Sequence, residues 1–379
     1  MNIIGVGSTK FSEHWDRGIK ELIDEAVKNA LKSSSLDIKD IDSLYVANCF
    51  GNTINGQGNI NALCSDMFGI NNSTAINGGD SSGSQAIIQA ANSIAARNSK
   101  IALVIGVEKM SDLGVNEASS VISQVTDYDY EASQGATLAS LYAMITSQHM
   151  KEHKTTLGQL GMVSVKNHAN AANNDMAQFK FAIAPEDIAK SQMVATPLRV
   201  LHSAATGDGC CAVVMANDEI AKKHKEKIKL IGHGTGSDFL AVHEREDITT
   251  FNALKYASKV AFEKAKIKPH NISFAELHDV FSISELMSIE DVGFVKKGEA
   301  ARFVEQGKAN IDGEISINPS GGLKGCGHPF AATGVRQAIE VFYQLNNNAG
   351  KRQVKNAKYG LTSTLSGTGS TAVVAIFSK

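Results

Sequence analysis

Apolar and polar positions switch between helical and strand spacing along this chain. Apolar residues recur every three to four positions over residues 19–32 and 82–97, which predicts two helices that each bury one face. Residues 43–47 and 101–107 are short runs in which apolar and β-branched residues dominate, which indicates strands. An order in which helices and strands alternate predicts an α/β protein.

The second half of the chain repeats the order of the first. A helical pattern over 254–264 leads to a strand pattern over 272–277, as the helix at 19–32 leads to the strand at 41–46. The run Thr333-Gly-Val-Arg-Gln-Ala-Ile also echoes Ser82-Gly-Ser-Gln-Ala-Ile. Matching patterns lie more than about 200 residues apart, much farther than solenoid repeats. The sequence therefore predicts one duplicated domain with two-fold pseudo-symmetry.

Composition narrows the class of protein. A chain of 379 residues with 43% hydrophobic content is long enough for two core domains. Its net charge of −2 favours neither nucleic acid nor an anionic membrane surface as partner. The chain starts with a strand pattern rather than a signal peptide, and its apolar runs are shorter than the roughly 20 residues of a membrane span. We expect a cytoplasmic protein.

The number and spacing of the cysteines predict that they are reduced thiols. Their number, five, is odd and their spacing is irregular, which argues against a disulfide framework and against a metal site. Two of them lie in an apolar run that predicts a buried strand, and another lies two residues before a His-Pro pair. They are Cys49, Cys64, Cys210, Cys211 and Cys326.

The segment from Asn318 to Gly334 is the strongest candidate for chemistry. It contains five glycines and the pair His328-Pro, directly before a helical pattern. Glycine allows positive φ and a close approach of backbone to ligand, and a helix N-terminus offers free amides to an anion. The segment therefore predicts an oxyanion site at His328. Tight turns before helices use the same residues for steric reasons alone.

This segment resembles a block of the thiolase superfamily, in particular of its sterol-carrier-protein-like and archaeal acetoacetyl-CoA thiolase branch. The matching run is Asn318-Pro-Ser-Gly-Gly, then Gly-His-Pro and Ala-Thr-Gly. Other blocks match in the same order across nearly the whole chain. They are Lys166-Asn-His, Ala177-Gln-Phe-Lys, Pro197-Leu-Arg-Val-Leu, Gly207-Asp-Gly-Cys-Cys-Ala-Val-Val and Glu276-Leu-His-Asp-Val-Phe.

The resemblance implies the thiolase fold: two pseudo-symmetric α/β/α halves in five layers, stacked through central helices, with an inserted loop domain that covers CoA. Residues 1–114 and 196–226 would form the N-terminal half, 115–195 the loop domain, and 227–379 the C-terminal half. The resemblance also implies a homodimer or a dimer of dimers, with a DUF35-type OB-fold protein as an additional partner.

Asp80 departs from the family pattern. In the block Ile76-Asn-Gly-Gly-Asp-Ser-Ser-Gly it takes the position of the nucleophilic cysteine. A carboxylate is a poor acyl acceptor because the mixed anhydride it forms is highly activated. Two interpretations of Asp80 stay open, a helix N-cap without chemistry and a general base or water-binding carboxylate.

The second catalytic cysteine of the family is also replaced. Sterol-carrier-type thiolases keep it in His-Asp-Cys-Phe, where this chain has Val280, and other thiolases keep it in a C-terminal block where Thr364 is the candidate. Cys326 is the cysteine whose context best suits a substitute thiol, although a packed residue in a tight loop is the simpler interpretation.

The resemblance implies that His328 and His278 stabilise a thioester enolate. Asp279 would orient this site. Ser320, Gly321 and Gly322 would contact the CoA thioester, which is the substrate, and no tightly bound cofactor or metal is expected. A proton donor could come from a group that the sequence does not narrow further: Tyr128, Tyr130, Tyr142 or Tyr343.

Three functions compete. The chain is expected to act on the carbon–carbon bond next to a CoA thioester, as an acyltransferase-like enzyme with an atypical site. The first alternative is a thiolase-like retro-aldolase that cleaves a β-hydroxyacyl-CoA, which needs an enolate but no acyl-enzyme. The second is a non-catalytic thiolase-fold subunit of an acyl-CoA complex, in which the replaced cysteines mark a decayed site.

Overall fold

The computed structural model describes residues 1–379, apart from the side chain of Val115. The strands are β1 (Asn2–Ser8), β2 (Ser43–Ala47), β3 (Ser73–Ile76), β4 (Ile101–Glu108), β5 (Met193–Ala195), β6 (Leu198–Arg199), β7 (Gly209–Ala216), β8 (Ile228–Ser237), β9 (Phe274–Glu276), β10 (Ser316–Ile317), β11 (Tyr359–Ser366) and β12 (Thr371–Ser378). The α-helices are α1 (Ile19–Ser34), α2 (Gly51–Asn55), α3 (Ile60–Phe68), α4 (Ser82–Ala95), α5 (Val115–Ile122), α6 (Leu138–His153), α7 (Leu157–Ala171), α8 (Pro185–Lys190), α9 (Asp218–Ala221), α10 (Asn252–Ala265), α11 (Ser282–Asp291), α12 (Ala300–Glu305), α13 (Gly322–Cys326) and α14 (Phe330–Leu345).

The strand order shows the duplication directly. The first half runs β3-β2-β4-β7-β1 and the second runs β10-β9-β11-β12-β8. Numbered within its own half, each order reads 3-2-4-5-1. Both halves pair their first strand antiparallel with their fifth, and β1 meets β8 through a short pairing at Asn2 and Ile3. The predicted two-fold pseudo-symmetry is confirmed.

Alternate residues of the strands pack on different helices. In β7, Cys211, Val213 and Met215 pack in a cluster with α4 and α14, which lie between the halves. Cys210 and Val214 pack in a second cluster with α1 on the outer face. With α10 on the outer face of the second half, the described elements form the five layers expected of a thiolase fold.

Glycine lets the outer helix approach the second half closely. A Cβ on Gly234 of β8 would lie 2.1 Å from the carbonyl oxygen of Ala257 in α10. Ala253 and Ala261 flank this contact one helical turn away on each side, and both are buried. A larger residue at Gly234 would therefore push α10 off the sheet.

The predicted elements lie where the spacing placed them. The helix predicted at 19–32 is α1, the helix at 82–97 is α4, and the strands at 43–47 and 101–107 are β2 and β4. The strand predicted at 272–277 is shorter, Phe274–Glu276. It ends there because the Leu277 amide donates to the Asn318 side chain rather than to a neighbouring strand.

Residues 115–195 fold mainly as helices, α5 to α8, followed by β5. α7 packs against α11, α12 and α13 of the second half. The division of the chain into a loop domain and two halves at the stated boundaries stays a prediction, as does the role of this segment in covering CoA. Among the helices of the described residues, none is both long enough and apolar enough to cross a membrane.

Candidate active site

The two central helices bring the candidate residues together. α4 and α14 pack at Gly83 and Gly334, and a Cβ on Gly83 would lie 2.3 Å from the carbonyl oxygen of Ala331. Glycine at both positions permits this approach. Asp80 and His328 each lie two residues before one of these helices, so both side chains lie where two helix N-termini meet.

Asp80 is fully buried. Its Oδ2 lies 3.7 Å from Nε2 of His278 and 3.9 Å from Nε2 of His328. Neither carboxylate oxygen has a hydrogen-bond partner among the described residues. The N-cap of α4 is Ser81, so the structure does not support the capping interpretation of Asp80. Burial raises the pKa of the Asp80 carboxyl, and the nearby His278 imidazole lowers it in part.

One ring nitrogen of His328, Nδ1, has a hydrogen-bond partner, and among the described residues the other, Nε2, has none. Its Nδ1 shares a hydrogen bond of 2.8 Å with Oγ1 of Thr333, and its ring stacks on Phe330 with centroids 4.3 Å apart. Its backbone amide donates to the carbonyl of Ala205. Burial and the neighbouring His278 hold the pKa of His328 well below its usual value. A neutral imidazole therefore presents Nε2 to Asp80.

His278 completes the cluster. It follows β9 and is fully buried, and its carbonyl accepts a hydrogen bond of 2.9 Å from Oγ of Ser284. Its ring meets His328 edge-on, with centroids 5.2 Å apart and planes at 85°. Neither ring nitrogen has a partner in the part of the chain that the structure describes. One ligand atom each from Asp80, His278 and His328 lies within 4.8 Å of the other two.

Asp279 joins the two histidine segments. It accepts hydrogen bonds from the backbone amides of Leu323 at 2.6 Å and Lys324 at 3.2 Å, in the first turn of α13. Such bonds to a carboxylate satisfy amides that a helix N-terminus leaves free. Asp279 therefore fixes the segment of His278 relative to the loop of His328, and this geometry supports the expected orienting role.

The residues expected to contact CoA face the protein interior. Ser320 donates from Oγ to Glu276 at 2.6 Å and accepts from Arg336 at 2.8 Å. Gly321 and Gly322 have φ of 104° and 63° and are buried. These contacts shape the loop and do not favour direct contact of Ser320, Gly321 and Gly322 with CoA, which stays a prediction.

The candidate substitutes for the cysteines are also buried. Sγ of Cys326 donates to the carbonyl of Ser320 at 3.1 Å, and burial raises the pKa of this thiol to about 11. A thiol with such a pKa stays protonated at neutral pH and is a weak nucleophile. Thr364 is buried in β11, and within the described chain its hydroxyl has no partner. Val280 is an apolar core residue.

Glu108 was missed by the sequence reasoning. This buried carboxylate accepts hydrogen bonds of 2.9 Å from the amides of Cys49 and Phe50, and one of 3.3 Å from Ala331 in α14. Burial raises its pKa to about 7, the backbone bonds lower it, and the charge of Asp80 adds to the rise. The sequence offered one indication of this role: Glu108 is an acidic residue at the end of β4, which is otherwise apolar.

Cys49 also lies near the cluster, although its sequence context gave no indication of this. Burial raises the pKa of its thiol far above the usual value, and the charges of Glu108 and Asp80 raise it further. Proximity to two carboxylates therefore works against a thiolate at Cys49.

The candidate tyrosines differ in burial. Tyr142 is buried, donates from its hydroxyl to the carbonyl of Gly367 at 3.1 Å, and has a pKa that burial and the charge of Asp80 raise. Tyr128 and Tyr130 are exposed. Among these three tyrosines, Tyr142 is therefore the one whose pKa the charge of Asp80 affects.

Comparisons with known proteins identify the class. The N-terminal thiolase domain matches residues 1–200, and the thiolase C-terminal domain-like family matches residues 234–379. The chain belongs to the thiolase family.

Its relatives confirm the predicted branch. An acetyl-CoA acetyltransferase of Methanothermobacter thermautotrophicus is 41% identical over 382 residues, which cover 100% of this chain and 99% of the relative. Human sterol carrier protein 2 is 30% identical over 99% of this chain and 71% of its own length. A solved Ltp2-ChsH2(DUF35) aldolase has a TM-score of 0.85 at 23% identity, covering 98% of this chain and 96% of that chain. This last likeness shows the fold.

Proposed function

We propose that this chain is an enzyme that acts on the carbon–carbon bond next to a CoA thioester through an enolate, without an acyl-enzyme on cysteine. The observation that carries the proposal is the buried Asp80 carboxylate before α4, with Oδ2 3.7 Å from His278 Nε2 and 3.9 Å from His328 Nε2. The full-length relative named acetyl-CoA acetyltransferase supports a CoA thioester as substrate.

Asp80 and the two histidines, His278 and His328, have different roles in the proposed reaction. Asp80 is the general base, since a carboxylate accepts a proton far more readily than it carries a stable acyl group. His328 donates from Nε2 when the Thr333 hydroxyl donates to its Nδ1. Together with His278 it stabilises negative charge on the thioester oxygen, and such donors are most effective where water is excluded.

Retro-aldol cleavage of a β-hydroxyacyl-CoA fits these roles best. Asp80 takes the proton of the β-hydroxyl group, and the oxygen electron pair forms a carbonyl. The Cα–Cβ bond breaks and its electrons form the thioester enolate that His278 and His328 stabilise. Protonation at Cα, for which Tyr142 is the candidate donor, releases the shorter acyl-CoA, and the proton taken up by Asp80 then returns to the tyrosine oxygen, which restores both groups. The fold shared with an aldolase supports this choice.

Conventional acyl transfer is the second candidate, because the relative that is 41% identical over the whole chain carries an acetyltransferase name. It requires a thiolate at Cys49 or Cys326. Burial raises the pKa of both thiols, which makes this candidate the weaker one.

The proposal includes a protein partner. The name of one structural neighbour, the Ltp2-ChsH2(DUF35) aldolase, includes a DUF35 protein. We infer that this chain acts with a DUF35-type OB-fold protein and at least as a homodimer, with the acyl-CoA as its small-molecule ligand.

The test is cleavage of a β-hydroxyacyl-CoA by the wild-type chain, with and without a DUF35-type partner, followed by chromatography of the carbonyl and CoA products. Both products should appear, and Asp80→Asn should lower the rate by on the order of 10²–10⁴-fold. Asp312→Asn, at an exposed position, is the matched control. Absence of cleavage under both conditions, or an unchanged rate in Asp80→Asn, would overturn the proposal.

A further inference from the structure

We propose that Arg245 is a positioning residue, which holds the turn after β11 and, through that turn, the hydroxyl of Tyr142. This inference deepens the proposed function and rests on it, because it takes Tyr142 as the donor of the Cα proton. Arg245 lies between β8 and α10 and is 6% exposed. A buried guanidinium is costly without acceptors, so the groups that it binds show what it supports.

The turn after β11, residues 367–370, joins β11 to β12 and contacts the proposed proton donor. The Tyr142 hydroxyl donates to the carbonyl of Gly367 at 3.1 Å. Burial raises the pKa of the Asp80 carboxyl, and the amide of Gly367 is among the groups that lower it. Gly367 and Gly369 have φ of 56° and 87°, which glycine adopts at little cost. Because two glycines also allow other conformations, the position of this turn depends on contacts from outside it.

Arg245 supplies such contacts on one side of the turn. Its Nη1 donates to the carbonyl of Thr368 at 2.7 Å, and its Nη2 donates to Oγ1 of the same residue at 2.8 Å. Its Nε donates to the carbonyl of Phe239 at 3.0 Å, and Nη2 also donates to that of Leu240 at 3.2 Å. The planar guanidinium fixes the directions of these bonds. Arg245 therefore ties Thr368, which follows Gly367, to the segment after β8.

The charge of Arg245 also acts on Tyr142. The four hydrogen-bond acceptors of the guanidinium are three backbone carbonyls and one hydroxyl, none of them charged. Burial lowers the pKa of Arg245, and the charges of Asp238, Tyr142 and Glu131 oppose this effect. Burial and the charge of Asp80 raise the pKa of Tyr142, and the charge of Arg245 opposes that rise. Arg245 is therefore a cation that favours negative charge on the tyrosine oxygen.

The position and the charge of Arg245 matter at one step of the proposed reaction. When the Tyr142 hydroxyl gives its proton to Cα, its oxygen is negatively charged until the proton held by Asp80 returns to it. Arg245 stabilises this anion by its charge and keeps the hydroxyl in place through the turn. Because the guanidinium is buried and bound to the protein itself, we expect its loss to slow proton transfer and to leave substrate binding nearly unchanged.

The test is a double-mutant cycle with Arg245→Met and Tyr142→Phe, in which kcat and KM are measured for cleavage of a β-hydroxyacyl-CoA. A second readout needs no cleavage: the wild type should introduce deuterium from D₂O at Cα of acetyl-CoA, which mass spectrometry detects. Arg245→Met should lower both rates by about 10–100-fold and change KM by less than about three-fold, since a nearby opposite charge commonly changes an ionisation equilibrium by about 10- to 1,000-fold. In the Tyr142→Phe background the same change should cost less than about three-fold.

Arg352→Met is the matched control, since it removes a guanidinium that pairs with Glu340 at 3.0 Å in the C-terminal half of α14, and it should leave both rates unchanged. Circular dichroism melting establishes that each variant is folded. If Arg245→Met does not fold, the cycle is run with Arg245→Lys, which keeps the charge without the planar fork and should cost about 3–10-fold only where the Tyr142 hydroxyl is present.

Equal losses with and without the Tyr142 hydroxyl, or no loss in either background, would overturn the role of Arg245 and leave the proposed function standing. Deuterium incorporation that follows the expected cycle without any cleavage would refute retro-aldol cleavage and support the role of Arg245. A wild-type chain that gives neither cleavage nor incorporation would overturn both.

Discussion

The carboxylate of Asp80 faces Nε2 of His278 across 3.7 Å, and both side chains are fully buried. This pairing lies directly before the N-terminus of α4, at the position where the resemblance in sequence predicts the family's nucleophilic cysteine. A buried carboxylate beside an imidazole can accept a proton, whereas it is a poor acyl carrier. The chemistry proposed for this chain depends on that relationship.

Removing the His328 imidazole should abolish most activity. His328→Ala deletes the Nε2 atom that faces Asp80, and we expect kcat to fall by on the order of 10²–10³-fold, as for the loss of an oxyanion donor. Steady-state kinetics with a β-hydroxyacyl-CoA measures this. Phe330→Leu, which removes the stacked ring but keeps the imidazole, is the control and should lose less. Equal losses in the two variants would mean that His328 serves packing alone.

Removing the charge of Asp80 should lower activity without lowering the stability of the fold. Asp80→Asn keeps the size of the side chain but replaces the carboxylate, the proposed general base, with an amide that does not accept a proton, so kcat should fall by about 10²-fold or more. Because the buried carboxylate lacks hydrogen bonds within the described residues, its removal should leave Tm unchanged or raise it by a few degrees. Retained turnover, or a large drop in Tm, would show that Asp80 is structural.

Loss of thiols should leave turnover intact. Cys49→Ala and Cys326→Ala should each keep kcat within about two-fold, far from the roughly 10²-fold or larger loss expected for a missing nucleophile. Iodoacetamide treatment of the wild type, with peptide mapping of the modified thiols, is the parallel measurement. Inactivation that maps to either cysteine and disappears in its alanine variant would restore a thiol mechanism.

Asp208 should make stability depend on pH. Burial raises the pKa of this carboxyl, but bonds from Ser111, His14 and Met110 outweigh burial and hold it below its usual value. A lowered folded pKa contributes stability above the unfolded value of about 3.9 and loses it as pH falls through the folded pKa. Asp208→Asn should therefore cost about 1–3 kcal/mol in urea unfolding at pH 7, and the gap to wild type should narrow below about pH 4. A gap that is constant with pH would contradict this.

Much of the fold follows from local patterns. The spacing of apolar residues located α1, β2, α4 and β4 within a few residues, because each element buries one face or both. The duplication was visible because Ser82-Gly-Ser and Thr333-Gly-Val lie near the N-termini of the two central helices, whose glycines meet. The short β9 was not predictable, since its end depends on a distant partner, Asn318.

The candidate site was only partly accessible to sequence reasoning. Asp80, His278 and His328 stood in recognisable motifs, but whether their side chains converge depends on how α4 and α14 pack. The resemblance predicts that Ser320 contacts CoA, yet its hydroxyl donates to Glu276 and accepts from Arg336. Glu108 stands in no motif, because its role depends on two segments far apart in sequence, Cys49–Phe50 and the first turn of α14, that both donate to its carboxylate.

Whether the chain forms an acyl-cysteine is measured by intact-protein mass spectrometry after incubation with acetyl-CoA, acetoacetyl-CoA and a β-hydroxyacyl-CoA, with chromatography of the CoA products. The cysteine-independent mechanism predicts an unmodified chain in every sample and cleavage products from the β-hydroxyacyl-CoA. A stable acyl adduct on a cysteine, formed at a rate that accounts for turnover, would contradict it.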